Sequence, residues 1–318
     1  MESSGQWVGI DVSKTHLDVC VGGRHRRFRV SDQFDEAVSW VSESKPQGIV
    51  LEATGGYEQR IAKALEAAHR VAVVNPLHVR NFAKSRGRLA KTDKLDARLL
   101  AEFGEVNQPR ATRTLSDVEA RLRAAVHRRD QVADLRQVAK QHLEHTDDPA
   151  MLRHAKKLVA TLHKEVLKLD AIVAKIVAED ASLRMRAKRM RTVPGIGAII
   201  AAALLVYLPE LGSLTKGQVA ALAGLAPMNC DSGMMRGQRH IRGGRFRVRK
   251  ALFIAATVNM RCRVSAFKDQ FLALTARVKP PKVARIAVAR KILVTLNSML
   301  KNGTDYAPAG PVKSESAA

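Results

Sequence analysis

From residue 113 to residue 186 the chain contains no glycine, and its only proline is Pro149. A stretch this long without helix breakers commits to long helices. Apolar residues recur at helical spacing at Leu122, Val126, Val132, Leu135 and Val138. They recur again at Leu158, Leu162, Val166, Leu169, Val173 and Ile176. The segment HTDDPA, residues 145–150, separates the two runs. The pattern predicts two long helices, forming a helical hairpin or a coiled coil. Such an element either joins partners, as a dimer seam does, or simply packs as surface, and the pattern favours neither.

The sequence on the N-terminal side has a different grammar. WVGIDV, THLDVCVGG and RHRRFRV read as three strands, the last following a Gly-Gly turn. SDQFDEAVSWVSES reads as a helix with Ser31 as its cap. GIVLEA is a short buried strand, residues 57–70 a helix, and VAVVNP another strand closed by Pro76. Residues 77–103 read as helix, irregular loop and helix. The order βββαβαβα predicts a mixed sheet with flanking helices.

On the C-terminal side, two helices flank Gly- and Pro-rich turns, with Ser213 or Thr215 opening the second. VPGIG (193–197) reads either as a phosphate-contacting hairpin turn between helices or as a buried tight turn. A glycine-punctuated, irregular basic stretch then leads into a helix near 248–260. Residues 278–303 form a proline-opened helix ended at Asn302-Gly303, and the tail 304–318 is expected to be disordered.

Charge follows the same division. The chain carries 54 Lys and Arg against 30 Asp and Glu, a net charge of +24. Residues 1–105 hold 16 basic against 14 acidic side chains, residues 106–186 hold 16 against 11, and residues 187–318 hold 22 against 5. The N-terminal third is nearly neutral and the C-terminal third is a polycation, which implies a nucleic-acid partner. Three widely spaced cysteines exclude a disulfide framework and a CxxC zinc site, and fit a reducing cytoplasm. No apolar run reaches membrane-spanning length, and the N-terminus does not read as a signal peptide.

Four acids stand out. Asp11 ends the first strand, Glu52 ends the fourth, and Asp93 and Asp96 sit three apart in KTDKLDA, where a helix opens. Residues i and i+3 share a helix face, so the last two carboxylates repel. If strands one and four are neighbours, all four acids converge, and divalent cations compensate the repulsion. Mg²⁺ suits an all-carboxylate set, and a two-ion site clamps both oxygens of a phosphodiester displacement. Asp18 and Glu58 are expected to lie outside this set. The first reads as an outward, solvated strand residue, and the second as a first-turn acid favoured by the helix dipole.

The second constellation is DSG at 231–233, read as a turn, followed by RGQRHIRGGRFRVRK. Ser232 is followed by Arg236, Arg239, Arg242, Arg245, Arg247, Arg249 and Lys250, with no acid among them. Guanidinium groups stabilise charge on a phosphoryl group, so Ser232 suits nucleophilic attack on a DNA phosphate. The same basic residues are equally suited to simple backbone contacts.

GIDVSK, EATGGYE, VVNPLHVRNFAKSRGRLAKTDKLDARLLAEF, VPGIG and GLAPMNCDSGMMRGQRHIRGGRFRVRKALF, in that order, resemble the insertion-sequence transposases of family one-ten, especially its eleven-eleven branch. The resemblance spans about residues 6–300. It implies an α/β RNase H/RuvC-like DEDD domain (1–110), a helical coiled-coil segment (111–187), a mainly α serine-bearing transposase domain (188–303) and a tail (304–318). The family's metal-binding acids fall on Asp11, Glu52, Asp93 and Asp96, and its serine on Ser232. The resemblance further implies a Mg²⁺-dependent recombinase that excises and inserts an element as DNA, acting on element-end and target DNA and guided by an element-encoded non-coding RNA. It implies a homo-oligomer, dimer or tetramer, whose active site forms between protomers, in a bacterial cytoplasm in association with the nucleoid. Two other classes fit the residues alone: a junction nuclease using metal-activated water, with Ser232 as a turn residue, and a nucleic-acid-binding protein with an inactive nuclease-like domain.

Overall fold

The computed structural model describes residues 6–88, 93–113, 115–228, 231–232, 235–237, 239–262, 265–277 and 280–307, without the side chains of 93–95, 231, 232, 235 and 236. The chain divides into two compact units, 1–114 and 115–318.

The first unit contains β1 (Trp7–Val12), β2 (His16–Val21), β3 (Arg24–Arg29), α1 (Phe34–Glu43), β4 (Gly48–Glu52), α2 (Glu58–Glu66), β5 (Val71–Val74), α3 (Pro76–Ser85) and α4 (Asp93–Asn107). The five strands lie in the order β3-β2-β1-β4-β5. β1, β2 and β3 pair antiparallel, whereas β1, β4 and β5 pair parallel. Alternation along each strand sends side chains to two cores. Val8, Ile10, Ile49 and Leu51 pack with Phe34 and Val41 of α1 and Ile61 and Leu65 of α2. Trp7, Val50 and Ala72 pack on the other face with Val79 of α3 and Leu99, Leu100 and Phe103 of α4. The expected mixed sheet with helices on its faces is therefore present.

Ser31 does not cap α1. The N-cap is Gln33, and the Ser31 hydroxyl donates to Asp32 Oδ1 at 2.6 Å instead. Asn75 caps α3 by accepting from the Leu77 N–H, with Pro76 in the first turn, where its missing N–H costs nothing.

The second unit opens with the expected hairpin, α5 (Asp117–Leu143) and α6 (Pro149–Glu179), which lie along each other. Ser116 and Glu119 form a reciprocal capping box at the start of α5, and Asp148 with Pro149 starts α6. There follow α7 (Ala181–Met190), α8 (Ala198–Tyr207), α9 (Lys216–Leu222), the two-residue strands β6 (Pro227–Met228), β7 (Asp231–Ser232), β8 (Met235–Arg236) and β9 (His240–Ile241), then α10 (Phe246–Asn259), α11 (Ala266–Ala276) and α12 (Pro281–Asn302). Thr215 caps α9 with Gln218, and Gly303 at φ 71° ends α12, both as the sequence indicates.

Leu122 and Val126 of α5 and Val173 and Ile176 of α6 share one core with Leu204, Leu252, Val288 and Leu296. The hairpin's base and the C-terminal helices are thus one folded body, and the expected 187/188 boundary falls inside α7. VPGIG is a tight turn anchored by buried Val193 and Ile196, with Gly197 exposed. Gly195, at φ 81°, lies so close to α10 that a Cβ would stand 2.6 Å from Ala255 O, and Asn259 Nδ2 donates to Pro194 O at 2.6 Å. The tail departs from expectation over its first residues. Tyr306 stacks on Phe267, and its N–H donates to Thr192 Oγ1 at 2.9 Å. Residues 308–318 lie outside the described residues.

Candidate active site

The parallel register places Trp7 opposite Gly48 and Ile10 opposite Leu51. Asp11 and Glu52 are the next residue along each strand, at the same end of neighbouring strands. By alternation both belong to the face that carries Trp7 and Val50, the face covered by α4. Both are half-buried.

Glycine spacing fixes how α4 crosses this face. A Cβ on Gly9 would stand 2.0 Å from Ala97 O and 2.4 Å from Ala101 N, so the helix backbone rests directly on the strand. A Cβ on Gly104 would stand 2.6 Å from the Trp7 ring. Ala97 lies over Gly9 and Gly104 over Trp7, so α4 runs antiparallel to β1. Its first turn, Asp93–Asp96, is directed toward the end of β1 that carries Asp11. Asp96 is half-buried. The side chain of Asp93 is outside the described residues.

Sequence-distant acids are thus brought to one end of the sheet. Their donor set is entirely carboxylate oxygen, the kind that suits a hard divalent ion. Among the described residues, no three His, Cys, Asp or Glu side chains group closely enough to hold a metal ion. Asp11, Glu52 and Asp96 alone therefore do not form a closed cage.

Two neighbouring acids differ from expectation. Asp18 pairs with Asp11 across the antiparallel ladder and is only 3% exposed, rather than outward and solvated. It accepts from Arg27 Nε and Nη2 at 3.0 Å each and stands 2.8 Å from His25 Nε2. Both partners come from β3, so the burial depended on strand pairing. Glu58 is 5% exposed and goes beyond a dipole partner. Its Oε2 accepts from the Thr54 N–H at 3.1 Å, the Thr54 hydroxyl at 3.3 Å and the Gly56 N–H at 2.8 Å. It closes the turn that follows Glu52, which passes through Gly55 and Gly56 at φ 76° and 115°. The sequence signal was the TGG breaker at residues 54–56, separated by one residue from a first-turn glutamate.

In the second unit, the stretch read as irregular contains paired strands. Pro227 and Met228 pair with Ile241 and His240, and Asp231 and Ser232 pair with Arg236 and Met235. In chain order the β7–β8 ladder lies within the span closed by the β6–β9 ladder, so the segment from Pro227 to Ile241 folds back on itself as a hairpin whose inner ladder carries Ser232. The hydroxyl of Ser232 and the guanidinium of Arg236 lie outside the described side chains. Arg239 and Arg242, near the hairpin root, are exposed.

The other four basic residues have internal partners. Arg245 binds Glu210 through two contacts of 2.6 and 2.7 Å. Burial raises the Glu210 carboxyl, but the Arg245 bonds outweigh it and leave the group below its usual range. Arg247 donates to Asp130 Oδ2 at 2.9 Å, and Lys250 to Asp134 Oδ1 at 2.6 Å. Arg249 donates to Gly243 O at 2.7 Å and Gly224 O at 3.3 Å. Tyr207 also donates to Asp130, at 2.9 Å; burial, with Asp130 beside it, pushes its hydroxyl pKa far up.

Comparison with known proteins finds two matched regions, the first of which runs from the α/β unit through α5. Residues 8–146 match the transposase family DEDD_Tnp_IS110, and residues 187–272 match the transposase family IS116/IS110/IS902. The pilin gene-inverting proteins of Moraxella lacunata and Moraxella bovis are each 29% identical to the chain over 320 residues, covering 95% of it and 98% of their own length. A 43.6 kDa protein of insertion element IS110 from Streptomyces coelicolor is 33% identical over 131 residues, 41% of this chain and 32% of that protein. With both transposase regions matched in order, an acid-bearing α/β unit ahead of a mostly helical basic one, the chain belongs to the IS110 family of transposases and is a DNA recombinase.

Proposed function

We propose that this recombinase cuts and rejoins DNA through a serine-linked phosphoryl transfer assisted by Mg²⁺ at an RNase H/RuvC-like carboxylate site. The observation that carries this reading is the convergence of Asp11 and Glu52, at one end of paired strands, with the first turn of α4. Asp11, Glu52, Asp93 and Asp96 would hold the metal, whose charge, once bound, favours displacement at the scissile phosphate. The Ser232 oxygen attacks phosphorus and forms an O–P bond. One bridging P–O bond of the DNA breaks, and the departing deoxyribose oxygen takes up the proton that the serine loses. The reverse displacement by a DNA hydroxyl rejoins the strand and frees the serine.

Arg236, Arg239 and Arg242 neutralise phosphates along the hairpin. Arg245 and Arg249 act through internal bonds beside the hairpin, to Glu210 and to the Gly224 and Gly243 carbonyls, whereas Arg247 and Lys250 tie α10 to α5. The excess of 22 basic over 5 acidic residues beyond residue 186 supports a second polyanion, the element-encoded guide RNA. An oligomer follows from the same family resemblance, one protomer lending its carboxylates and another its serine, with the long hairpin α5–α6 as a candidate coiled-coil seam.

The test is a denaturing gel of the protein with element-end DNA and guide RNA. A slow covalent adduct forms with the natural chain and disappears in Ser232→Ala and in excess chelator. An adduct that persists in the alanine variant removes Ser232 from the chemistry, and activity in chelator removes the metal.

A second reading concerns the outcome of strand exchange. The two relatives matched end to end are pilin gene-inverting proteins, which favours inversion of a segment between two sites as a product. A plasmid with two opposed sites distinguishes the two outcomes: inversion changes the restriction pattern at constant size, whereas excision releases a circle.

A further inference from the structure

A cavity of about 580 Å³ opens in the second unit between the outer ladder of the serine hairpin and α12. Its walls are apolar, from Leu225, Ile241, Val283 and Ala287, and no carboxylate is among its described lining residues. Four cations stand around it: Arg239 beside β9, and Lys282, Arg290 and Lys291 on α12. Arg239, Lys282 and Lys291 are exposed and Arg290 is half-buried. The helix explains the arrangement. Val288, Ile292, Leu293 and Leu296 of α12 face the core, so Val283, Ala287, Arg290 and Val294 form a stripe at helical spacing on the opposite side. A stripe with only a core-covering role would have no need of a cation at each end of an apolar slot. A slot with only an electrostatic role would have no need of an apolar wall.

An apolar slot of small-ligand size ringed by cations matches one chemistry closely, an unstacked base with its adjoining phosphates. Guanidinium planes such as those of Arg239 and Arg290 can stack on a base where aromatics are scarce, and the chain's aromatic content is only 4%. We propose that this cavity is a nucleotide pocket, which takes one base from a single-stranded or locally opened strand at the root of the hairpin that bears Ser232. The ligand is a polynucleotide, DNA or RNA. The proposal rests on the nucleic-acid reading of this unit but needs neither metal nor strand cleavage.

The test uses the full chain in chelator and measures the affinity of labelled single strands: oligothymidine DNA, oligouridine RNA and an abasic strand of equal length. The natural chain is expected to bind a base-bearing strand about tenfold more tightly than the abasic one, the value of a stacked base. The tighter of the DNA and RNA arms identifies the strand. Ala287→Trp fills the slot and should erase the preference while leaving abasic binding within about twofold. Lys282→Gln with Lys291→Gln, on the exposed rim, provides a variant without core strain. It should keep the base preference and lower the salt slope by about 1.4, two phosphate contacts' worth. Equal affinity for base-bearing and abasic strands overturns the pocket, as does a preference that survives Ala287→Trp. Displacement of oligothymidine by polyglutamate as effectively as by unlabelled oligothymidine overturns it in favour of an acidic peptide. None of these results depends on the covalent adduct, so the pocket and the serine chemistry fail separately.

Discussion

At Glu58 a single carboxylate oxygen organises the turn that follows a proposed metal ligand. Glu58→Ala leaves the Thr54 and Gly56 N–H groups without this acceptor in a buried turn, a cost of about 1 to 3 kcal/mol. Urea titration should show that loss, and strand cleavage should fall further than stability alone explains, because Glu52 loses its fixed position. His127 gives a pH signature. Burial, with Arg123 and Arg247 nearby, holds its imidazole below the ordinary 6.5. The unfolded chain then binds a proton that the folded chain does not, so stability is complete above about pH 6.5 and declines as pH falls below it. The imidazole stacks on Tyr207 at 5.3 Å between ring centroids, so His127→Phe preserves the contact and removes the titration. The urea midpoint of the helical transition should fall less between about pH 7.5 and 5.5 in the variant than in the natural chain.

Among elements, the contact of α4 with β1 is the most exacting. Gly9→Val places atoms where Ala97 O and Ala101 N already stand, and backbone cannot yield as a flexible side chain can. Overpacking of this kind costs about 1 to 3 kcal/mol or more and lifts the acid-bearing turn away from the sheet. Loss of adduct formation with retained DNA binding is the expected readout. The basic segment divides by element as well. Arg247→Gln breaks a bridge from α10 to α5 and should destabilise the second unit by about 1 kcal/mol, since the pair is partly screened, while the salt slope of duplex binding stays unchanged. Arg242→Gln should lower that slope by about 0.9 without moving the urea midpoint. The reverse pattern would return Arg247 to the phosphate interface. From sequence alone these arginines are indistinguishable. Asp130 and Glu210, which divide them, lie 117 and 35 residues away along the chain from their partners.

At the scale of the whole molecule, the chain holds two units with separate cores. Both tryptophans, Trp7 and Trp40, lie in the first unit, whereas most helical residues lie in the second. Urea unfolding followed by tryptophan fluorescence and by far-ultraviolet dichroism should therefore give two curves that do not coincide. Superimposed curves would show that the units unfold as one.

Much of this architecture was legible in the residues. A glycine-free run dictated the helical hairpin and strand-length apolar runs dictated the sheet, whereas the pairing of β1 with β4, which makes Asp11 and Glu52 neighbours, came with the folded sheet. Local preference and periodicity act over a few residues, and they act before any tertiary contact exists. Tertiary structure decided where Asp18 goes, because its neutralising partners sit on another strand. It decided which arginines remain exposed beside the serine hairpin, because their alternative partners are carboxylates brought in by distant helices. It also formed the apolar slot behind that hairpin, whose walls come from separate segments that meet only when the core has closed.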